Sequence, residues 1–460
     1  MILRHQWFQS SAWDLGIFDQ AIYLISEGLT PISSLLGFHI LGDHGALVLY
    51  PLGWISSLFP SVNLLFVLQG AALASSVFPL KKFAQQKKLS KKATAASFTM
   101  LALYPVIFNT AIFDFHPETL AFPLILESAV LIEERNKKNN FLIVIYLLLS
   151  MTCKVSISLL TFGIGAWLFI RKEKFIGSVI CITSITWLTI IGGVLIPYYG
   201  GVNAQLTRHI NKFGIEENSD FSQIEITKLI WKIFNQFASI ANIEYILLII
   251  IPIAYLLLYK NKGKILFWII PFSPLLILNL ASSESPLKDL VHHYSLLLIP
   301  FLALAVASTL APGQNGIKKY PKIIQRKIPY IIIGWSIITF LLLSRISYFY
   351  GNYKNHFENI SSRKEALSLI QKNTAVLTTN DLVPHLSRRI NIRITSEEEF
   401  ERINSYDQIL LDDTSPGWLS SDEFVNQLKI KLKNNSDWEE KYNSKGIILF
   451  NHLRTLDKTK

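Results

Sequence analysis

"KKFAQQKKLSKK", residues 81–92, places six lysines between two apolar stretches at about 61–80 and 93–113. Positive charge between runs near the ~20 residues that a spanning helix needs is the mark of a cytoplasmic loop in a polytopic membrane protein. Four similar clusters follow: "RNKK" (135–138), "RKEK" (171–174), "KNKGK" (260–264) and the 312–328 loop. With the first, they hold 20 of the 28 Lys and Arg before residue 351. The whole chain agrees, since 460 residues at 50% hydrophobic, 17% charged and mean hydropathy +0.35 are too apolar for an ordinary soluble protein. The net charge of +11 follows the membrane topology, so nucleic acid is not an expected partner. Cys153 and Cys181 both lie in apolar segments and suggest neither a disulfide framework nor a thiolate metal site.

Apolar runs at 61–80, 93–113, 119–133, 141–153, 155–170, 175–196, 243–259, 265–280, 294–311 and 329–350 predict about ten membrane helices. With the five clusters inside, the alternate connections face outward: residues 1–60, "DFHPE" (114–118), Lys154, 197–242, "ASSESPLKDLVHHY" (281–294) and everything after Tyr350. The stretch 141–170 is short for two spans and reads as a hairpin turning at Lys154, because a single helix there would invert every later loop. "ALVLYPLGWISSLF" (46–59) is too short to span and is expected along the outer interface with Trp54 at headgroup depth. An outward N-terminus with no apolar segment before it predicts either a true start at Met1 or a first spanning helix missing from the start. Residues 351–460 carry 16 basic and 16 acidic side chains, a soluble composition. Strands are expected at 375–379, 390–394 and 408–413, and helices at 381–389 and 421–434. The expected fold is an all-α polytopic membrane protein with an outer interfacial helix and a small α/β extracytoplasmic C-terminal domain. It divides into a first outer loop (1–60), a transmembrane domain (61–350) and the soluble domain (351–460).

Sorting polar residues by side puts Asp14, Asp19, Asp43, His44, Asp114, His116, Glu118, Lys154, Arg208, His209, Glu284, Lys288, Asp289, His292 and His293 on or just beneath the outer face. Ionisable groups inside apolar runs are costly, so their gathering on one face points to a site at the outer boundary. In "WDLGIFDQ" (13–20), Asp14 and Asp19 are five residues apart and need not face the same way. Asp14 reads either as the N-cap of a helix from Leu15 to Ser26 or as a general base or metal ligand. Asp43 and His44, between glycines, read as a turn or as an oriented polar pair. Asp114, His116 and Glu118 alternate along an extended stretch; their spacing is weak for a metal and suits contacts to an anion or sugar hydroxyls. Lys154 is a snorkelling lysine or a cation held for phosphate, and His292 and His293 open a spanning helix beside Lys288. Glu127, deep in its run, has no partner that the sequence can name.

In order, "DLGIFDQ" (14–20), "GDHG" (42–45), "FDFHPETLAFPL" (113–124), the hairpin lysine, "HHYSLLLIPFLALA" (292–305) and "AVLTTNDLVPHLSRR" (375–389) resemble the bacterial membrane-protein family called domain of unknown function 2079. That family is similar in layout to the C-type glycosyltransferases, multispan enzymes that take a sugar from a polyprenyl-phosphate carrier at the outer face of the plasma membrane. The resemblance implies Asp14 as the catalytic first-loop acid with Asp19 as its companion, residues 45–59 as the interfacial helix and Lys154 as the hairpin lysine. The family's usual Lys-Glu-Asp is Lys154-Val155-Ser156 here. It further implies a polyprenyl-phospho-sugar as lipid partner, its phosphate met by Lys154, Arg208 and His292 or His293, or by a divalent metal. The rival readings are a transporter or flippase for a polar or lipid-linked solute, and a non-enzymatic assembly protein working through residues 351–460.

Overall fold

The computed structural model describes residues 1–200, 231, 234–259, 262–313, 321–348, 350–351 and 357–454. Six helices among them are long and apolar enough to cross a membrane: Asn63–Gln86, Lys174–Gly200, Ile240–Leu257, Gly263–Ala281, Ser285–Thr309 and Ile323–Tyr348. Lys91–Ala102 and Pro105–Ile112 make a seventh if they are one span bent by 49°. The bend falls where Tyr104 is extended before Pro105, which has no N–H for the helix ladder. The expected count of about ten is therefore replaced by six to seven among the described residues. The other three apolar runs are helical but short, at Glu118–Glu134, Asn140–Met151 and Ile157–Ile170. An apolar run records burial by protein as readily as by lipid. Glu118–Glu134 illustrates this, with most of its side chains enclosed in the main core beside Ile157, Trp167 and Phe301.

Opposite charge gathers at one end of the bundle. Lys82 Nζ lies 3.1 Å from Glu127 and 2.9 Å from Glu134, Lys87 reaches Glu133 at 2.6 Å, and Arg171 pairs with the same Glu133. Basic clusters far apart in sequence thus meet one acidic helix end, and Glu127 has a partner after all. At the other end, Asn140–Met151 and Ile157–Ile170 turn around Lys154. Val155 N–H donates to the His44 carbonyl and Val48 N–H to that of Thr152, both at 3.1 Å. These bonds seat the short hairpin on the first sixty residues.

The C-terminal sheet has strand order Ile392–Ile394, Val376–Thr378, Gln408–Asp412, Ile447–His452, Trp438–Ser444; the first three strands are parallel and the rest antiparallel. Side chains alternate between its faces. Leu377, Ile409, Leu411, Ile448 and Phe450 pack with Phe424, Val425 and Leu428 of helix Asp422–Lys433. Val376, Leu410 and Leu449 face the other way and share a core with Phe8, Leu15, Phe18 and Ile22. The first sixty residues and the sheet therefore bury one another. The last hairpin was not expected from sequence, because Trp438–Ser444 is an edge strand whose side chains are almost all exposed and polar. Its turn, Lys445-Gly446, has both φ angles positive, the two-residue geometry that suits a twisted hairpin.

His5 and His385 stack in this shared layer, with centroids 4.0 Å apart and planes 13° from parallel. Burial, with the charge of Arg4, outweighs the attraction of Asp114 and lowers His5 from its ordinary 6.5 to about 4. His385 is lowered by burial and by the charges of His5 and Arg363. A group kept neutral by the fold binds its proton more weakly folded than unfolded, so stability is lost as pH falls from 6.5 through about 4. For His5 that loss is roughly 3 kcal/mol. Thermal unfolding followed by circular dichroism should show a midpoint falling across this window, with a shallower fall in His5→Gln; equal slopes in both proteins would refute the assignment.

Candidate active site

Asp14 sits in a single π-helical turn, Ala12–Gly16, that opens helix Ile17–Ser26. Such turns widen a helix locally and concentrate at functional sites. Capping is done by Ser11, which is extended and whose hydroxyl accepts from Trp13 N–H at 3.3 Å. The capping reading of Asp14 is thus overturned and its carboxylate is left for other work. The turn is anchored from behind by Asp114, which accepts from Ser11 N–H and from Arg4 Nη1, each at 2.6 Å. Asp114 is fully buried and positions the turn without facing the site.

Asp14 looks into a cavity of about 690 Å³ whose acidic, basic and imidazole side chains are Asp14, Asp43, His44, His116, Glu118, Lys154 and His293, with Ser156, Asn279, Ser282 and Tyr294 as further polar lining. Most of the remaining wall is apolar, including Ile17, Phe18, Leu188, Ile196, Leu275 and Leu297. Residues from five distant segments meet there. Glu118 opens its helix and accepts from Lys154 Nζ and, at 3.1 Å, from His293 Nε2. Lys154 Nζ also lies 5.0 Å from the centre of the Tyr294 ring. The Asp43 carboxylate and the His44 imidazole, which burial keeps toward its neutral form, meet in the short helix Leu41–His44, which Gly45 ends at φ 63°, a left-handed position that suits glycine. The turn and the oriented pair are both present.

His116 joins the two acids. Its Nδ1 lies 2.9 Å from the Asp114 carbonyl, its Nε2 3.4 Å from Asp14 Oδ1, and its ring 3.9 Å from that of His293. With an oxygen facing each nitrogen, the doubly protonated imidazolium satisfies both. Burial works against that charge, but the hydrogen bond and charge of Asp14, with Glu118, prevail and raise His116. Burial likewise works to raise Asp14, and the hydrogen bond and charge of His116 hold it below its ordinary value. Asp14 is therefore an ionised acceptor at neutral pH, its side chain one-third exposed toward the cavity.

Asp19, its expected companion, is elsewhere. It is fully buried between Ser387 Oγ at 2.7 Å and Arg388 Nε at 3.3 Å, and burial raises its carboxyl despite Arg388. One helical turn separates a site acid from a docking acid. His292 does not line the cavity either; it bonds Asp289 at 2.7 Å on a part-exposed surface, and its neighbour His293 takes the inner position. Arg208 and His209 lie outside the described residues. Among the described residues, no three His, Cys, Asp or Glu converge to hold a metal ion.

Several residues that matter here carry no sequence signal of their own. Gln69 is fully buried and holds the 110–119 turn from both sides: it donates to the carbonyls of Thr110 at 3.1 Å and Asp114 at 3.2 Å, and accepts from His116 N–H at 2.9 Å. Asn380 reaches from the sheet to accept from Ala12 N–H at 3.3 Å. Tyr294 and Trp418 line the cavity. An apolar helix with one glutamine reads as a span, and a loop tryptophan reads as surface.

Taken together, these features define a helical membrane protein with an acid-bearing turn over a bundle cavity. Its fold is similar to that of ArnT from Cupriavidus metallidurans. The crystal structure of that protein bound to undecaprenyl phosphate aligns with TM-score 0.55 and 8% identity, over 97% of this chain and 95% of that one. Its apo structure aligns at TM-score 0.40 with the same identity and coverage. The chain belongs to the family described as "Predicted membrane protein (DUF2079)", which matches residues 4–449. No curated protein matches its sequence.

The different surroundings of the two acids predict different failures. Asp19→Ala leaves Arg388 without its carboxylate and should cost roughly 2–3 kcal/mol, at the low end for a buried pair because Arg388 is partly exposed. Asp14→Asn should leave the unfolding midpoint within about 1 °C of wild type, since it replaces a cavity-facing group with an isostere. Differential scanning calorimetry of both variants distinguishes them, and a reversed order would be inconsistent with the placement described.

Proposed function

We propose that the protein is an inverting glycosyltransferase that moves a sugar from a polyprenyl-phosphate carrier to an acceptor hydroxyl or amine at the outer face of the bacterial plasma membrane. The observation that carries this reading is Asp14, ionised and held by His116 at the wall of a cavity that is otherwise largely apolar. The fold's likeness to ArnT, whose structure holds undecaprenyl phosphate, supports a lipid-phosphate donor.

In the transfer, Asp14 accepts the acceptor's proton as the acceptor oxygen or nitrogen forms its bond to the sugar's anomeric carbon. The bond from that carbon to the carrier phosphate breaks, and its electron pair leaves with the phosphate. Lys154 and the His116 imidazolium are the cations of the site, and in an enclosed, largely apolar cavity they offset that charge better than water would. Glu118 sets where the ammonium sits, and the aliphatic wall suits an isoprenoid tail. The departure from the family's hairpin pattern leaves Lys154 with Val155 and Ser156, both lining the cavity, in place of two acids. Glu118 supplies the carboxylate contact from another helix.

The transport alternative rested on Glu127 as an isolated mid-membrane acid. Its pairing with Lys82, at the end of the bundle where the lysine and arginine clusters meet acids, removes that support.

Lipid and glycan profiling of a deletion strain complemented with wild type or Asp14→Ala tests the proposal. A polyprenyl-phospho-sugar should accumulate in the deletion strain and with Asp14→Ala, with transfer reduced about 10²–10⁴-fold. An unchanged profile in both would rule the activity out.

A further inference from the structure

The C-terminal domain reaches the cavity through one side chain, Trp418. Its indole is 63% exposed, although it lines the same cavity as Asp14 and Lys154. Isolated exposed aromatics are ordinary on protein surfaces, but this one is held in place. Asp412 Oδ1 accepts from the N–H groups of Thr414 and Ser415, each at 3.0 Å. Pro416 accepts from Asn380 N–H at 3.2 Å, and Ser420 bonds Thr395 at 2.6 Å. On either side of Trp418, Gly417 and Leu419 have φ of +81° and +68°. A leucine in that region costs about 1 kcal/mol, so the loop holds a strained backbone around a side chain that buries little.

Asn380 also ties this loop to the acid. While its N–H holds Pro416, its side-chain oxygen holds Ala12 N–H, two residues before Asp14. Trp13, next to Asp14, meets Trp418 edge to face, with centroids 6.1 Å apart at 75°. Two indoles at a fixed angle therefore stand beside the carboxylate, one from the first loop and one from the sheet domain. Aliphatic side chains elsewhere in the wall already suit an isoprenoid tail. A flat aromatic face beside hydrogen-bonding carboxylates and imidazoles suits a different group, one with an apolar face of C–H bonds and a rim of hydroxyls.

The geometry points to Trp418 as a specificity-determining residue contributed by the C-terminal domain, stacking on the pyranose ring of the glycosyl substrate that reacts at Asp14. It rests on the glycosyl-transfer reading for the reaction, but not for the binding. Trp418 belongs to the domain that carries the soluble composition, so the ring it grips enters from that domain's side while the lipid occupies the aliphatic wall. The tail hydrocarbon is the competing occupant.

The full-length protein in lipid nanodiscs can be titrated with the methyl pyranosides of glucose, galactose and mannose, and separately with farnesyl phosphate, by saturation-transfer NMR. Wild type should transfer saturation to the ring C–H protons of at least one pyranoside. Trp418→Ala should weaken that binding about tenfold and Trp418→Phe about threefold or less, as loss or retention of an aromatic face implies. Farnesyl phosphate should bind equally to all three proteins. No pyranoside signal in wild type, an unchanged affinity in Trp418→Ala, or a loss confined to farnesyl phosphate would each overturn the assignment. Trp418→Phe guards against a folding defect in the alanine variant. If Asp14→Ala leaves the cellular lipid profile unchanged while Trp418-dependent pyranoside binding persists, the transferase reading fails and the subsite stands. If lipid-linked sugar accumulates but pyranoside binding ignores Trp418, the reverse holds.

Discussion

Glu118 is the carboxylate on which the cavity end of the bundle closes. It is buried, at the start of its helix, and takes Lys154 from the hairpin and His293 from the start of a span. Removing ions from water costs several kcal/mol apiece unless each finds a close partner, so Glu118 and Lys154 require each other, and the His293 imidazole adds a donor to the same carboxylate. The hairpin can be short for this reason. Its tip ends in protein, with Lys154 paired with Glu118 and its backbone bonded to His44 and Val48. Irregular backbone is tolerated at such depth only under those conditions.

The outer layer is built around the same need. The first sixty residues are too apolar to stand alone, and the sheet domain has one apolar face that its own helix does not cover. Each completes the other, through Leu15 and Phe18 against Val376 and Leu449. Within that seam Asp19 is used for docking on Arg388, while Asp14, on the preceding turn, is kept clear by a π-helical widening and by Ser11 as cap. Two acids in one short stretch are pushed in opposite directions, Asp19 raised by burial and Asp14 lowered by the His116 contact that outweighs it. A difference of that kind between neighbouring carboxyls reflects their surroundings, a closed seam for Asp19 and a cavity wall for Asp14.

Much of this was legible in the sequence, for identifiable reasons. Lysine clusters between apolar runs mark one end of the bundle, and Lys82, Lys87 and Arg171 do meet acids there. The short hairpin at Lys154 follows from charge parity, and the three parallel strands follow from compact apolar runs. Seven of the fifteen polar candidates gathered on one face meet at one cavity. The failures are equally physical. Apolar length does not distinguish lipid from protein as the burying medium, so Glu118–Glu134 reads as a membrane helix although most of it is enclosed by protein. A polar edge strand has no alternation to detect, so Trp438–Ser444 was missed. Asp14 before an apolar run looks like a cap, but Ser11, three residues earlier, already is one.

By itself, the sequence determined that this chain is a membrane protein whose histidines and candidate site acids gather away from its lysine clusters, because charge and apolar length are local and additive properties. It could not determine which of those residues touch. That Asp14 meets His116, that Glu118 meets Lys154 and His293, that Asp19 turns away to Arg388 and that Trp418 leans over the same cavity are all contacts between segments from 36 to about 400 residues apart. Only the packing of the helices and the docking of the sheet bring them within hydrogen-bonding or van der Waals range.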